Sequence, residues 1–374
     1  MKMARMKIIK SVWMRSIFFG LCILLAASGC SNVRHDAGAT AMDKSSVAAV
    51  SSALAPSPSA PRHAWPQLKA LYDYDAARPL EAKVVKKTSD AVAVTRRLTL
   101  RGARGATVPL YVMLPAAASA QQKAPGVVLL HGKGGSIEDM VVAAQYLAAQ
   151  GYASLIPEIV GHGARRTADS PSLFGGKPGP LRDGLIESIQ DIRRALDYFV
   201  AQPEVDARRI GLMGVSLGAI MGSITTAVEP RIVTCVLVVG GADWRVMLAQ
   251  SQEPDARRRR EQSGAPTAKE LALLDDVDPK NFAGHIAPRP ALLINGRKDD
   301  IVPGDAARAL FAAAKEPKKQ IWLDSDHFLP PTEVATLLLD WLDTHLKVAP
   351  RKLSARHFPD ATTPSITPAA RAVL

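Results

Sequence analysis

Residues 210–227 read IGLMGVSLGAIMGSITTA, an apolar run that passes directly into a helical run of small and apolar residues. The junction, residues 214–218, fits the pattern G-x-S-x-G, in which a serine sits on a sharp turn between a strand and a helix. Such a turn holds the serine in strained backbone geometry that lifts its hydroxyl above the sheet, and the flanking glycines let the two arms approach each other. The stretch therefore predicts that Ser216 is a nucleophile, with an inert serine in a tight turn as the alternative.

A serine hydroxyl needs a general base, and the base needs an acid that orients it. Where the serine stands on such a turn, the chain order is serine, acid, histidine. Asp299 lies just past the carboxyl end of a predicted strand, with Asp300 as the competing acid. His327 lies on the loop after the next predicted strand, whereas His345 falls within the predicted final helix. We therefore predict that His327 is the base and that Asp299 orients it.

The oxyanion that forms during acyl transfer needs backbone N–H donors. Residues 131–135 read HGKGG and directly follow a fully apolar run, so the glycines allow this backbone to fold close to a substrate carbonyl. We predict that Leu217, at the start of the helix, and Lys133 supply the two donors, with Gly134 as the alternative to Lys133. His131 is expected to fix this loop by hydrogen bonding rather than to react.

Between residues 65 and 349, short apolar runs alternate with longer helical patterns. The inner runs are apolar at every position, which is typical of parallel strands that are covered on both faces. The first two have no helix between them and predict an antiparallel hairpin at the sheet edge. The pattern predicts an α/β fold with a mostly parallel eight-stranded sheet and helices on both faces. The predicted strands are Ala93–Leu100, Val108–Leu114, Gly126–Leu130, Ala153–Ile156, Ile210–Gly214, Val233–Val239, Ala291–Asn295 and Gln320–Leu323.

Residues 243–286 are long for a connection between a strand and a helix. They contain a helical stretch near residues 268–274 and a run of four arginines, residues 257–260. We predict a small lid insertion here, and we expect the arginine run to form a solvated face.

The chain resembles the α/β-hydrolase superfamily, especially its dienelactone-hydrolase-like and acyl-esterase branch. The resemblance covers roughly residues 80–347 and rests on residues 131–132, 157–163, 205–211, the turn at 214–218, and the spacing of Gly296, Asp299, Val302 and Pro303. Dienelactone hydrolases proper carry cysteine at the turn, so Ser216 favours an esterase. The resemblance implies a serine hydrolase that cleaves small-molecule carboxylic esters through an acyl-enzyme. No cofactor and no metal are expected, because no metal-ligand spacing, phosphate loop or dinucleotide fingerprint occurs in the sequence.

Other functions would use the same residues. A peptidase of the prolyl-oligopeptidase type, a thioesterase and a lipase all need such a triad. The peptidase is disfavoured because the segment before the predicted core is shorter than a propeller domain needs. A non-catalytic envelope lipoprotein is the alternative from another class, but it would be expected to lose triad members, and all three are present.

The first thirty residues have the pattern of a lipoprotein signal peptide. Five lysines and arginines precede an apolar run at residues 17–27, which is shorter than the roughly 20 residues that a spanning helix needs. Small residues at 27–29 lead to Cys30, as in a bacterial lipobox, so residues 1–29 are the predicted signal peptide and Cys30 the predicted lipidation site. Ser31 follows the cysteine, which implies an outer-membrane location facing the periplasm or the exterior. Residues 30–64 predict a flexible Ala/Ser/Pro-rich tether, and residues 350–374 a disordered tail.

Charge and cysteine usage limit the other possibilities. The formal net charge is +12, but the signal peptide holds +5, the tail +3 and the tether +1, which leaves an ordinary +3 on residues 65–349. No nucleic-acid partner is therefore predicted. Cys22 leaves with the signal peptide and Cys30 takes the lipid, so Cys235, within an apolar run, is predicted to be a buried core thiol.

Overall fold

The structure is a computed structural model that describes residues 63–346 except 169, 171, 172 and 265. The predicted signal peptide, Cys30, most of the predicted tether and the predicted tail lie outside the described residues. Of the predicted segments, the structure therefore bears on the catalytic domain alone.

One sheet of nine strands organises the described residues. The strands are β1 Lys83–Ser89, β2 Ala93–Arg101, β3 Thr107–Pro115, β4 Ala124–Leu130, β5 Ala153–Pro157, β6 Val205–Val215, β7 Ile232–Val238, β8 Ala291–Gly296 and β9 Lys318–Leu323. Their order across the sheet is β1-β2-β3-β5-β4-β6-β7-β8-β9. The pairs β1–β2, β2–β3 and β3–β5 are antiparallel, and all remaining neighbours are parallel. The mostly parallel α/β fold expected from the sequence is confirmed.

Helices lie on both faces of this sheet. The α-helices in the described part of the chain are α1 Trp65–Ala70, α2 Val141–Ala149, α3 Pro178–Val200, α4 Leu217–Val228, α5 Trp244–Gln250, α6 Pro254–Ser263, α7 Ala268–Leu274, α8 Gly304–Ala313 and α9 Pro331–His345. Apolar side chains of α3, α4 and α8 pack in one hydrophobic cluster, and those of α2 and α9 pack in the other.

The central strands connect the two clusters. All seven residues of β4 are buried, and successive side chains point to opposite faces, so Val128 and Leu130 join one cluster while Val127 and Leu129 join the other. Each such side chain contributes about 1.5–3 kcal/mol when it is fully buried. This rigid centre fixes the positions of the loops that follow the carboxyl ends of the strands.

The eight predicted strands are all present, but the predicted strand number was wrong. The ninth strand, β1, has the sequence KVVKKTS, and every residue in it is exposed. It pairs with β2 through backbone hydrogen bonds at the sheet edge, and it carries no buried apolar face that a sequence pattern would reveal.

The insertion, residues 243–286, contains α5, α6, α7 and short 3₁₀ turns at Asp275–Val277, Pro279–Asn281 and Ala283–His285. We expected all four arginines of residues 257–260 to be solvated, and this is correct for only two of them. Arg259 and Arg260 are half-buried and donate to the carbonyl oxygens of Gly176 and Leu248, whereas the two preceding arginines are exposed.

Among the residues that the structure describes, no helix is both long and apolar enough to cross a membrane.

Candidate active site

Ser216 stands between β6 and α4 in a conformation that side chains rarely adopt. Its φ is 56° and its ψ is −114°, which places a non-glycine residue in the strained left-handed region. A Cβ atom on Gly214 would lie 2.1 Å from the carbonyl oxygen of Gly218, and one on Gly218 would lie 2.2 Å from that of Leu130. Both flanking positions therefore require glycine, which explains why the turn has this sequence.

The structure brings the predicted nucleophile, base and acid together. His327 Nε2 lies 3.1 Å from Ser216 Oγ, and His327 Nδ1 lies 2.8 Å from Asp299 Oδ2. The second carboxylate oxygen, Asp299 Oδ1, accepts from the N–H groups of Ile301 and Val302 at 3.0 and 2.9 Å. With Nδ1–H donating to the carboxylate, Nε2 is left to accept the serine proton.

These side chains meet because three loops leave the same edge of the sheet. Ser216 follows β6, Asp299 follows β8 and His327 follows β9, and the carboxyl ends of parallel strands lie side by side. The loops after β8 and β9 approach closely at Gly296, where a Cβ atom would lie 2.2 Å from the carbonyl oxygen of Asp326. This approach brings the acid within reach of the imidazole.

Burial and position distinguish Asp299 and His327 from the alternatives, Asp300 and His345. The Asp299 side chain is 2% exposed and that of His327 is 12% exposed, so their hydrogen bond lies in a low-dielectric environment that strengthens it. Asp300 is exposed, and His345 lies in α9, where its ring packs against Trp341 at 4.2 Å between centroids. The geometry therefore favours Asp299 over Asp300 and His327 over His345.

The loop after β4 passes beside the nucleophile. A Cβ atom on Gly132 would lie 3.5 Å from the Ser216 Cβ, and Gly134 adopts a φ of 75°, which favours glycine. Leu217 is the first residue of α4, where a helix leaves its N–H without an intrahelical partner. Both segments predicted to supply oxyanion donors, the Lys133 loop and the Leu217 helix start, thus flank Ser216.

Comparisons with known proteins agree with this architecture. Residues 186–348, which include Ser216, Asp299 and His327, match the Peptidase_S9 model, the prolyl oligopeptidase family. The structure resembles an acetyl xylan esterase from Paenibacillus sp. R4, with a TM-score of 0.64 and 19% identity, over 75% of this chain and 93% of that one. The fold is that of an α/β hydrolase. A second solved structure, acetyl xylan esterase 1 from Thermoanaerobacterium sp., aligns with a TM-score of 0.63 and 20% identity, over 77% and 94% of the two chains.

Two Bacillus subtilis proteins are similar in sequence to this chain. The putative esterase YitV is 25% identical over 235 residues, which cover 59% of this chain and 89% of the relative. The putative hydrolase YtaP is 26% identical over 252 residues, which cover 63% and 80% of the two chains. The similarity to these relatives thus extends over most of their own length.

The insertion contacts loops on two sides of the candidate site. The Lys133 ammonium group binds the carboxylates of Glu253 and Asp255, the second at 2.8 Å, at the start of α6. Ser251 Oγ donates to the carbonyl oxygen of Ile301 at 2.7 Å, next to the Asp299 loop. The start of α6 is thereby joined to the loop after β4, and Ser251, three residues before α6, is joined to the loop after β8. Sequence analysis missed these contacts because nothing local links residue 133 to residue 253.

Two further residues at the site escaped sequence analysis. Phe328 is 59% exposed, and its ring stands edge-on to that of His327 with 5.7 Å between centroids. Glu158 is buried 3.0 Å from His131, and its sequence signal is its place two residues after the predicted strand Ala153–Ile156. In the described part of the chain, no group of three or more His, Cys, Asp or Glu side chains is arranged to hold a metal ion.

Proposed function

We propose that this α/β hydrolase is a serine esterase that cleaves carboxylic esters through an acyl-enzyme. The observation that supports this best is the continuous hydrogen-bonded chain from Asp299 through His327 to Ser216, which stands on a strained turn. Relatives with the names esterase and hydrolase, aligned over most of their length, support the same class of reaction.

In the proposed mechanism, Ser216 Oγ attacks the ester carbonyl carbon while its proton passes to His327 Nε2. The imidazolium that forms is stabilised by the Asp299 carboxylate. The N–H groups of Lys133 and Leu217 would donate to the oxyanion of the tetrahedral intermediate. His327 then returns the proton to the leaving alkoxide, the alcohol departs, and a water molecule activated by the same imidazole releases the acid and restores the serine.

The match to the prolyl oligopeptidase family makes a peptidase the second candidate. Both reactions would use the same triad, but an amide needs efficient proton donation to a poor leaving group. Esters, thioesters and amides that share one acyl group separate the possibilities. We expect p-nitrophenyl esters to be cleaved far faster than the matched p-nitroanilides; faster cleavage of a peptide anilide would favour the peptidase.

Ser216→Ala provides the test of the nucleophile. The variant should lose ester hydrolysis and covalent labelling by a fluorophosphonate, since loss of a triad member costs on the order of 10⁴ or more in rate. Ser119→Ala is the matched control, because Ser119 lies in the turn between β3 and β4 and accepts from the N–H of Gln122. Near-normal turnover by Ser216→Ala would exclude the serine mechanism.

We also propose that the enzyme is anchored to the bacterial envelope through diacylated Cys30. The support is the sequence of residues 1–30 alone. Wild-type protein should take up labelled palmitate and partition into detergent, whereas Cys30→Ser should take up no label and remain uncut. Efficient cleavage of Cys30→Ser to a soluble product would indicate an ordinary secretory signal instead. Esterase activity should be retained in both proteins.

A further inference from the structure

A second acid–imidazole pair lies beneath the loop that is expected to hold the oxyanion. Glu158 follows β5 and is 3% exposed, and His131 follows β4 and is fully buried. His131 Nε2 lies 3.0 Å from Glu158 Oε1. A buried carboxylate is unfavourable by several kcal/mol unless it is paired, so this contact fixes where the imidazole stands.

The other imidazole nitrogen faces the backbone. His131 Nδ1 lies 3.0 Å from the carbonyl oxygen of Gly132, which also accepts from the N–H of Gly135 at 3.2 Å. Nδ1 is therefore placed to donate to the Gly132 carbonyl, while Nε2 lies within ion-pair distance of the Glu158 carboxylate. The backbone N–H of Ile159 donates to Nε2 at 3.4 Å, so backbone groups bind both ring nitrogens.

The direction of the Gly132 carbonyl determines the direction in which the Lys133 N–H points. The peptide bond between Gly132 and Lys133 is trans, so the carbonyl oxygen of Gly132 and the N–H of Lys133 point in opposite directions. A carbonyl turned inward to His131 therefore turns the Lys133 N–H outward. The same loop passes beside the nucleophile, since a Cβ atom on Gly132 would lie 3.5 Å from the Ser216 Cβ.

We infer that Glu158 is a positioning residue for the oxyanion hole. It holds His131, which holds the Gly132 carbonyl inward and thereby keeps the Lys133 N–H directed at the oxyanion. This inference rests on the proposed esterase function. It gives Glu158 and His131 a role in transition-state stabilisation without any contact with the substrate.

The decisive comparison is Glu158→Met against Glu158→Gln in the full chain. Methionine has a similar length but cannot bind the imidazole, whereas a glutamine amide can donate to Nε2 and leave the proton on Nδ1. Removal of one oxyanion donor costs about 10²–10³ in kcat, so we expect Glu158→Met to lose roughly 10- to 100-fold with little change in KM. Glu158→Gln should stay within about threefold of wild type.

The readout that a merely structural role would not change is the rate ratio between an ester and its thionoester. Sulfur accepts hydrogen bonds weakly, so this ratio reports the strength of the oxyanion donors. It should fall in Glu158→Met and persist in Glu158→Gln. Glu204→Met is the matched control, because Glu204 precedes β6, at the opposite end of that strand from Ser216, and pairs with Arg96 at 2.8 Å. Its ratio should equal that of wild type.

A second pair of variants covers the case in which Glu158→Met fails to fold. The asparagine amide nitrogen in His131→Asn takes the place of Nδ1 and keeps the donor to Gly132, while His131→Leu removes it. The ester to thionoester ratio should persist in the first and fall in the second. Wild-type ratios in both Glu158→Met and His131→Leu would overturn the inference while Ser216-dependent hydrolysis remained. Absence of hydrolysis by wild type would instead refute the proposed function.

Discussion

Asp299→Asn tests the proposed triad because the two oxygens of Asp299 have different partners. One accepts from His327 Nδ1 at 2.8 Å, and the other accepts from the N–H groups of Ile301 and Val302 at 3.0 and 2.9 Å. Asparagine has one acceptor oxygen and one donor nitrogen, so it can satisfy only one of these two sides.

The structure indicates which side asparagine will satisfy. If its oxygen faced His327, the amide nitrogen would meet two backbone donors, which would lose two hydrogen bonds of about 1 kcal/mol each and leave buried donors at a further cost of about 1–3 kcal/mol each. The opposite orientation keeps both backbone bonds and directs the amide N–H at Nδ1. The imidazole must then carry its proton on Nε2, where it can no longer accept the proton of Ser216.

We therefore expect kcat to fall by about 10⁴ while the melting temperature stays close to that of wild type. Steady-state hydrolysis of p-nitrophenyl acetate, with circular dichroism melting as the folding check, measures both. Asp300→Asn is the matched control, because Asp300 is exposed and should tolerate the change within about twofold. Retention of more than about a tenth of kcat in Asp299→Asn, or greater damage from Asp300→Asn, would refute the assignment of the acid.

Three further predictions concern residues outside the triad. Lys133→Met should accelerate tryptic cleavage within the arginine run by about fivefold, because loss of its partly exposed ion pairs removes about 1 kcal/mol of resistance to local opening. Phe328→Ala should raise KM about tenfold for aromatic esters, by loss of an aromatic contact, and leave methyl acetate hydrolysis unchanged. Burial raises the pKa of Cys235 to about 12 by disfavouring the thiolate, so mass spectrometry should find no alkylation of this cysteine at pH 8 until guanidinium unfolds the protein.

Elements whose structure depends on neighbouring residues in the chain could be predicted from the sequence. The inner strands are buried on both faces, so each is a continuous apolar run, and all eight predicted strands are present. The turn at Ser216 was predictable because both flanking glycines are required by contacts shorter than 2.3 Å between an added Cβ and the backbone. Asp299 and His327 were found from their order and from their places after strands.

Long-range contacts could not be predicted in this way. The edge strand β1 carries three lysines and no buried face, so no periodicity marks it. Arg259 and Arg260 belong to a charged run, but their guanidinium groups donate to carbonyl oxygens 83 and 12 residues away. Pairing of Glu158 with His131 likewise depends on the neighbouring positions of β4 and β5, which the sequence order does not reveal.

The two acid–imidazole pairs follow from one property of the sheet. Neighbouring parallel strands end at the same edge, so a histidine after one strand and a carboxylate after the next lie within hydrogen-bonding distance, as at β9 with β8 and at β4 with β5. The His327 side chain is 12% exposed and reaches the Ser216 hydroxyl, so it is able to exchange a proton with a bound ester or with water. His131 is fully buried, and beside Glu158 its ring nitrogens contact the carbonyl oxygen of Gly132 and the N–H of Ile159, so it is placed to hold the backbone. The two pairs contain the same types of side chain but differ in solvent access. The His327–Asp299 pair is therefore suited to proton transfer, and the His131–Glu158 pair is suited to positioning.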